Sequence, residues 1–338
     1  MIDPLRVALI GVGEIARQGH LPGFVQTGAK IVALCSQRNP RLPDLAAEYG
    51  VERCYYDWQQ MLRDGGFDAV SICTPPALHC EMAVESARRS YHILVEKPMA
   101  LTLEQCDQMI EAAAKMGVLL MVAHNQRFMV HHQQAKQLLS SGRLGRPYLA
   151  HTVFGHAGPE HWSPTQQWYF QPDLAGQGAL ADLGSHKIDL LRWLLGQEVV
   201  EVAALGVTFE KATSANDTAV CLLRFNQGTL ATIHASWVFR PDWENSLTLR
   251  GEQGILRIPT DVTEPLRLLG HPSTSSKEEL YSVDTADPAG WLATVAAFVQ
   301  AIHHDEASPI SGEEGRATMR VVLAADEAMK HKTFIQLS

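Results

Sequence analysis

Cysteine is scarce and never closely paired. Six cysteines occur in 338 residues, at 35, 54, 73, 80, 106 and 221. No Cys-x-x-Cys pair is present and several lie inside apolar runs, which argues for reduced, buried thiols and against disulfides or a cysteine metal site. Basic runs are also missing. Twenty-eight basic residues against 37 acidic ones leave a formal charge of -9, a balance that argues against nucleic acid or an anionic membrane surface as a partner. No stretch approaches the roughly 18 consecutive apolar residues of a membrane span. A strand pattern that begins by Leu5 leaves no room for a signal peptide, so a cytoplasmic protein with a small-molecule partner is expected. The pairs His131-His132 and His303-His304 have no third ligand at metal spacing; they read as solvated helix residues, and no metal is expected. There is no internal repeat.

What is present is an ordinary globular mixture, 46% hydrophobic and 19% charged, long enough for two domains. Short apolar runs (Leu5 to Ile10, Ile31 to Cys35, Ala69 to Cys73, Ile93 to Val95, Val118 to Val122) alternate with helical patterns at roughly 14–27, 41–49, 77–89 and 102–116. Continuous apolar strands alternating with helices predict a parallel, doubly wound sheet. The first strand runs into Gly11-Val12-Gly13-Glu14-Ile15-Ala16, the Gly-x-Gly-x-x-Ala form of the dinucleotide fingerprint. Its first glycine permits a tight turn, the second lets backbone approach a pyrophosphate, and the following helix points its N-terminus at the phosphates. At the end of the second strand stands Ser36-Gln37-Arg38 with no carboxylate. A hydroxyl and a guanidinium suit a 2'-phosphate, which favours NADP over NAD.

Two further strand ends look chemical: Cys73-Thr74-Pro75-Pro76-Ala77-Leu78-His79 and Glu96-Lys97-Pro98. Ligands of open α/β sheets sit outside the carboxyl ends of strands, where burial and neighbours can ready a lysine for proton transfer. In the second half, strand patterns at 148–154, 199–207, 218–225, 229–237, 246–250 and 255–258, with hairpin-type turns at Asn226-Gln227-Gly228 and Gly251-Glu252-Gln253-Gly254, predict an antiparallel or mixed sheet. Amphipathic segments at about 289–303 and 312–330 read as helices covering one face of it, and Pro272 to Ser276 as an exposed loop. The Gly155–Gln177 segment, with His156, His161, Trp162, Trp168 and Tyr169, is either a substrate-side loop or a packed connector. Asp182 to Leu195 carries Leu183, Leu190, Leu191, Leu194 and Leu195 at helical spacing and ends at Gly196, a left-handed cap. On this helix Asp182, His186 and Asp189 stand at i, i+4 and i+7, so that one face is polar. That stripe is either a set of hydrogen-bonded core side chains or an acid/base pair in a cleft.

The fingerprint, Thr-Pro-Pro-x-x-His, Glu-Lys-Pro, His124-Asn125-Gln126-Arg127-Phe128 and Gly178-Ala179-Leu180-x-Asp182-x-Gly184-x-His186 together resemble the glucose-fructose oxidoreductase / inositol dehydrogenase / MocA family over essentially the whole chain. The resemblance implies an N-terminal Rossmann domain (1–124) and a C-terminal α+β domain (125–338) with a large open, mostly antiparallel sheet that serves substrate binding and homodimer or homotetramer formation. It also implies a nicotinamide at the crevice between domains and a sugar, polyol or related compound as substrate. The family's catalytic residues fall on Lys97, Asp182 and His186. Its cofactor contacts fall on Gly11, Val12, Gly13, Glu14, Ile15, Ser36, Gln37, Arg38, Cys73, Thr74, Pro75, His79, Glu96, Lys97, Asn125 and Trp168. Tyr169 departs from the arginine common in relatives, so their substrate preferences do not carry over. The expected reaction is reversible hydride transfer between a carbinol carbon and nicotinamide C4. A base must take the hydroxyl proton, and His186 is the first choice, with Lys97 orienting the hydroxyl or sharing the proton and Asp182 holding both. A redox-neutral glycoside hydrolase or epimerase and a non-catalytic nucleotide-binding regulator are the alternatives.

Overall fold

The computed structural model describes residues 3–164, 167–270, 277–282 and 286–337. Pro272 to Ser276, expected as an exposed loop, lies outside them. The chain forms two compact units: Met1–Asn125 with Trp291–Met319, and Gln126–Gly290 with Arg320–Ser338.

In the first unit, β1 (Arg6–Ile10), β2 (Lys30–Cys35), β3 (Arg53–Tyr55), β4 (Ala69–Ile72), β5 (His92–Val95) and β6 (Leu120–Val122) make one sheet in the order β3-β2-β1-β4-β5-β6. Every pairing is parallel. Val7, Ala8, Leu9, Val70 and Ile72 are wholly buried, as residues covered on both faces should be. Local signals set the helix ends. Asp57 accepts from the Gln59 N–H ahead of Trp58–Asp64, Thr102 accepts from the Gln105 N–H ahead of Leu103–Met116, and Gly117 closes the latter in the left-handed region. Strand order reverses between β1 and β4, which makes the carboxyl ends of those two strands the switch point of the sheet.

Of the two late helices expected to cover the second sheet, only the C-terminal part of the second, from Arg320 on, belongs to the unit that holds that sheet, with Met329 beside Gly206. Trp291–His303 packs within the first unit, where Phe298 meets the ring of Phe24 edge-on at 6.5 Å. The reason is steric. Gly19 and Gly23 leave no room for a Cβ beside Trp291 and Val295, so two small residues on one helix face receive the large ones of the other. The Gly312–His331 helix begins in the same unit, where Gly315 lies against Met99 and Val122.

The second unit holds a nine-stranded sheet: β7 (Pro147–Gly155), β8 (Val199–Val207), β9 (Thr218–Phe225), β10 (Leu230–Ser236), β11 (Glu244–Gly251), β12 (Gly254–Ile258), β13 (Leu266–Gly270), β14 (Glu278–Tyr281) and β15 (Ile335–Gln336). The order is β14-β13-β12-β11-β7-β10-β9-β8-β15. Only β10 with β7 is parallel; the other neighbours are antiparallel. Both expected hairpins form, β9 to β10 and β11 to β12. Against the sheet lies a core of Ala179, Leu183, Ala235 and Trp237, joined by Phe154 and Phe170.

Candidate active site

The first unit gathers its expected functional residues along one rim. Gly11 has φ +90°, and a Cβ there would stand 2.4 Å from the Cys73 carbonyl oxygen and 3.1 Å from the Thr74 nitrogen. The fingerprint turn after β1 therefore touches the turn after β4, and only glycine fits. Its own N–H donates to the Cys35 carbonyl at the end of β2, at 2.9 Å. A helix opens at Glu14, so first-turn N–H groups point at the space before Gly13 without intrahelical partners. This cradle fits a dinucleotide pyrophosphate. Ser36 is half-buried, with its N–H on the Tyr55 carbonyl at 3.0 Å, and Gln37 and Arg38 are exposed.

The neighbouring strand ends are tied together by His79, whose ring is wholly buried. Nε2 lies 2.8 Å from the Thr74 carbonyl and Nδ1 3.1 Å from that of Pro98. Burial holds this imidazole below its ordinary pKa. The Lys97–Pro98 peptide is cis. Glu96 is buried, and one of its carboxylate oxygens accepts the Lys97 N–H at 3.1 Å. Asn125 follows β6 and opens a short 3-10 turn. His20, which the sequence reading did not single out, lies beneath this rim on Ser71 and Glu96.

In the second unit the expected single helix is two pieces: a π-helical turn at Leu180–Gly184 and an α-helix at Ser185–Leu195, closed by Gly196 at φ 62°. The polar stripe is correspondingly divided. Asp182 accepts the Trp237 indole N–H at 3.0 Å. His186, 7% exposed, meets the Phe154 ring edge-on at 5.5 Å. Asp189 belongs to a different structure, a buried fork with Arg127 at 2.8 and 2.6 Å. It therefore takes the hydrogen-bonded-core reading, while Asp182 and His186 remain as a pair four residues apart.

Four further buried side chains were either without a signal in the sequence or expected at the surface. Lys187 has no exposed surface; it donates to Asn245 and lies 5.5 Å over the Phe154 ring. Burial brings its pKa down to about 7. His131 and His132, expected as solvated, are buried because the Val130–Ser140 helix packs on Ser185–Leu195 and β12. His132 Nδ1 lies 2.7 Å from the Gln126 carbonyl, and burial pushes the ring down to about 3. Trp237 carried no local signal, because its partners Ala179 and Leu183 are distant in sequence. Trp168 is half-buried and stacked on Tyr169 at 3.8 Å, and Trp162 meets Tyr169 edge-on. The described part of Gly155–Gln177 thus contains a packed aromatic connector.

All six thiols are unpaired. Among the described residues no group of three or more His, Cys, Asp or Glu could hold a metal ion, and no helix is long and apolar enough to cross a membrane.

Residues 5–124 match the family model for an oxidoreductase family with an NAD-binding Rossmann fold. Residues 132–257 match the model of the GFO/IDH/MocA C-terminal domain. Myo-inositol 2-dehydrogenase of Thermotoga maritima is 26% identical, with 98% of each chain covered. D-apiose dehydrogenase of Paraburkholderia graminis is 31% identical over 75% of this chain and 67% of its own. Among solved structures, the WlbA dehydrogenase from Bordetella pertussis in complex with NADH and UDP-GlcNAcA superposes with a TM-score of 0.84 at 26% identity, covering 99% of each chain.

Proposed function

The chain belongs to the Gfo/Idh/MocA family of NAD-binding oxidoreductases, and on that premise we propose that it oxidises and reduces a sugar, polyol or related compound at a carbinol or carbonyl carbon. The observation that carries the proposal is the contact between the Gly11 turn and the Cys73–Thr74 backbone at the switch point of the sheet, with Glu96-Lys97 at the end of the next strand. A bound nicotinamide supplies the hydride acceptor or donor at C4. The residues proposed to hold the cofactor are Gly11, Val12, Gly13, Glu14 and Ile15 for the pyrophosphate, and Ser36, Gln37 and Arg38 for the adenosine ribose. Cys73, Thr74, Pro75, His79, Glu96, Lys97, Asn125 and Trp168 complete the set. Removing hydride from an alcohol also requires its hydroxyl proton to leave. His186 takes that proton, Lys97 orients the hydroxyl or shares the proton, and Asp182, which accepts the Trp237 indole N–H, holds the lysine and the histidine in place.

NADP is the proposed preferred cofactor, with NAD the alternative, because an exposed guanidinium and a hydroxyl stand where a carboxylate would repel a 2'-phosphate. A second copy of the chain is the proposed partner, in a homodimer or homotetramer formed through the nine-stranded sheet. Leu149, Leu222 and Leu230, on the adjacent central strands β7, β9 and β10, are each about half exposed, and Leu205 on β8 is 75% exposed. Six unpaired thiols fit the reducing cytoplasm.

Purified protein incubated with NADP or NAD and a panel of polyols and aldoses should generate reduced nicotinamide, followed by absorbance. A cofactor that co-purifies and never undergoes net reduction would instead point to the redox-neutral hydrolase or epimerase. NADP should bind more tightly than NAD by roughly 1.5 to 3 kcal/mol, about ten- to a hundred-fold. Arg38→Ala should remove most of that margin, and equal affinities in the unmodified protein would overturn the cofactor assignment.

A further inference from the structure

Two elements of the second unit hold Asp182, and both hang on one loop. The Asp182 N–H donates to the Gly178 carbonyl at 3.0 Å, and its carboxylate accepts the Trp237 indole N–H. One step further out, the Ala179 N–H donates to the Asn216 carbonyl at 2.9 Å, and the Trp237 backbone N–H donates to the Asp217 carbonyl at 2.8 Å. Asn216 and Asp217 close the 208–217 loop between β8 and β9. The Asp217 side chain shapes that loop. One carboxylate oxygen accepts the N–H groups of Phe209, Glu210 and Lys211 at 2.9, 2.8 and 3.1 Å, and the other accepts the Thr218 hydroxyl at 3.1 Å. We propose that Asp217 is a positioning residue for the reaction: by folding the loop it sets two successive carbonyls, one against the turn that carries Asp182 and one against the tryptophan that holds its carboxylate. This rests on the role proposed above for Asp182.

Asp217, Ala179 and Trp237 have no exposed surface. Gly178 has φ +60°, and a Cβ there would stand 2.2 Å from the Asn216 carbonyl oxygen, so only glycine lets the turn come this close to the loop. A carboxylate suits the task of locking the loop. Three N–H groups converge on one of its oxygens and a hydroxyl donates to the other, so both oxygens act as acceptors and the geometry calls for the ionised form. Burial raises the Asp217 carboxyl, but the N–H groups of Glu210, Lys211 and Phe209 outweigh it and hold the group below the ordinary range. Lys211 carries a separate tie. Its nearly enclosed amine donates to the Ala157 carbonyl and to Glu160, at 2.5 Å each. That tie leads to another segment, and it therefore separates the influence of the loop at large from that of its two carbonyls.

Asp217→Ala releases the loop and should lower kcat by about ten- to a hundredfold at saturating substrate and cofactor, the range for a small misplacement of a catalytic group. Substrate KM and the separately titrated cofactor affinity should stay within about twofold of the parent. Asp217→Asn offers an amide oxygen to the same three N–H groups and an NH2 to the Thr218 oxygen, and should recover most of the lost turnover. If Asp217 acts through Asp182, adding Asp217→Ala to Asp182→Ala should slow the enzyme by no more than about twofold further, whereas an independent structural loss would multiply. Lys211→Met cuts the tie to Ala157 and Glu160 but leaves the Asp217 carboxylate in place, and should keep kcat within about twofold of the parent. A folded Asp217→Ala protein with parental kcat overturns the proposal. So does an effect as large on Asp182→Ala as on the parent, or a Lys211→Met protein as slow as Asp217→Ala. If Asp217→Ala does not fold, Gly178→Ala carries the test, because its Cβ forces the Asn216 carbonyl away from the Ala179 N–H; the same loss of kcat at unchanged KM is expected. If neither folds, the loop serves the fold alone and the proposal falls. Asp182→Ala separates the premises: parental turnover there refutes the role of Asp182, whereas a slow Asp182→Ala beside a fully active Asp217→Ala refutes only the inference about Asp217.

Discussion

Among the described residues each unit carries one π-helical turn, the first ending in His20 and the second two residues before His186, and the two are built differently. In the first, Ala16–His20 follows a glycine turn whose shape is dictated by backbone: the Cβ of any other residue at Gly11 would collide with a carbonyl oxygen that cannot move aside. In the second, Leu180–Gly184 lies on a side-chain core, and Asp182 is fixed by the indole of Trp237, fifty-five residues away. Backbone rims leave a signature of spacing in the sequence. Side-chain scaffolds of this kind do not, since their partners are chosen by tertiary packing. π turns commonly mark functional positions; the first of these ends in His20 and the second contains Asp182.

The largest expected effects test whether the two regions act as one machine. Lys97→Met and His186→Ala should each lower turnover by two or more orders of magnitude, the range for losing positioned proton transfer. Cofactor affinity should largely survive the His186 change, because the glycine turn belongs to the other unit. Combined, the substitutions should cost much less than the sum of their separate free energies, as residues acting together do. A folded, fully active His186→Ala protein would return that histidine to the core.

The difference between the regions also explains what was legible in the sequence. The parallel sheet, the rim residues and both hairpins were readable because apolar runs, glycine turns and Asn-Gln-Gly or Gly-Glu-Gln-Gly connections are local. β3 was not: Arg53-Cys54-Tyr55 is three half-buried residues with no apolar run. The 3.6-residue period predicted one straight helix from Asp182, and a π turn, with its wider winding, is invisible to that period. Asp189 looked like part of the polar stripe because its ion partner Arg127 lies sixty-two residues away. The Trp291–His303 helix was assigned by proximity in sequence to the second sheet, whereas the complementarity of Gly19 and Gly23 to Trp291 and Val295 decides its place.

A pair of glycine substitutions sharpens the contrast at intermediate effect. Both Gly11 and Gly196 have positive φ, but a Cβ at Gly196 would meet nothing within 4 Å. Gly196→Ala should therefore cost only about 1 to 2 kcal/mol of stability, the penalty for a left-handed alanine, and leave cofactor affinity alone. Gly11→Ala adds a collision with the Cys73 carbonyl and should weaken cofactor binding by about tenfold or more, measured by titration alongside melting temperature. Equal losses of affinity in the two variants would mean that the rim is no more constrained by its backbone than the helix cap is.

The smallest effect concerns the side-chain scaffold of the second unit. Lys187 is wholly buried beside Phe154 and bonded to Asn245, and burial depresses its pKa from the ordinary lysine value to about 7. A lysine whose folded value lies below its unfolded one binds fewer protons in the native state, so it opposes folding. That penalty is fully present below about pH 7 and disappears as pH rises toward the unfolded value near 10.5. A displacement of this size corresponds to at most about 4 to 5 kcal/mol. Lys187→Met should recover only part of it, about 1 to 3 kcal/mol, because the bond to Asn245 and the contact with the Phe154 ring are lost. Asn245 is not orphaned, since Gln126 also donates to the same oxygen at 3.3 Å. The variant should melt a few degrees higher at pH 7, and its advantage over the parent should shrink steadily between pH 7 and 10. Turnover within about twofold of the parent at matched pH would assign Lys187 to the scaffold alone. A variant that melts lower than the parent at pH 7 would show instead that the buried amine holds this core together.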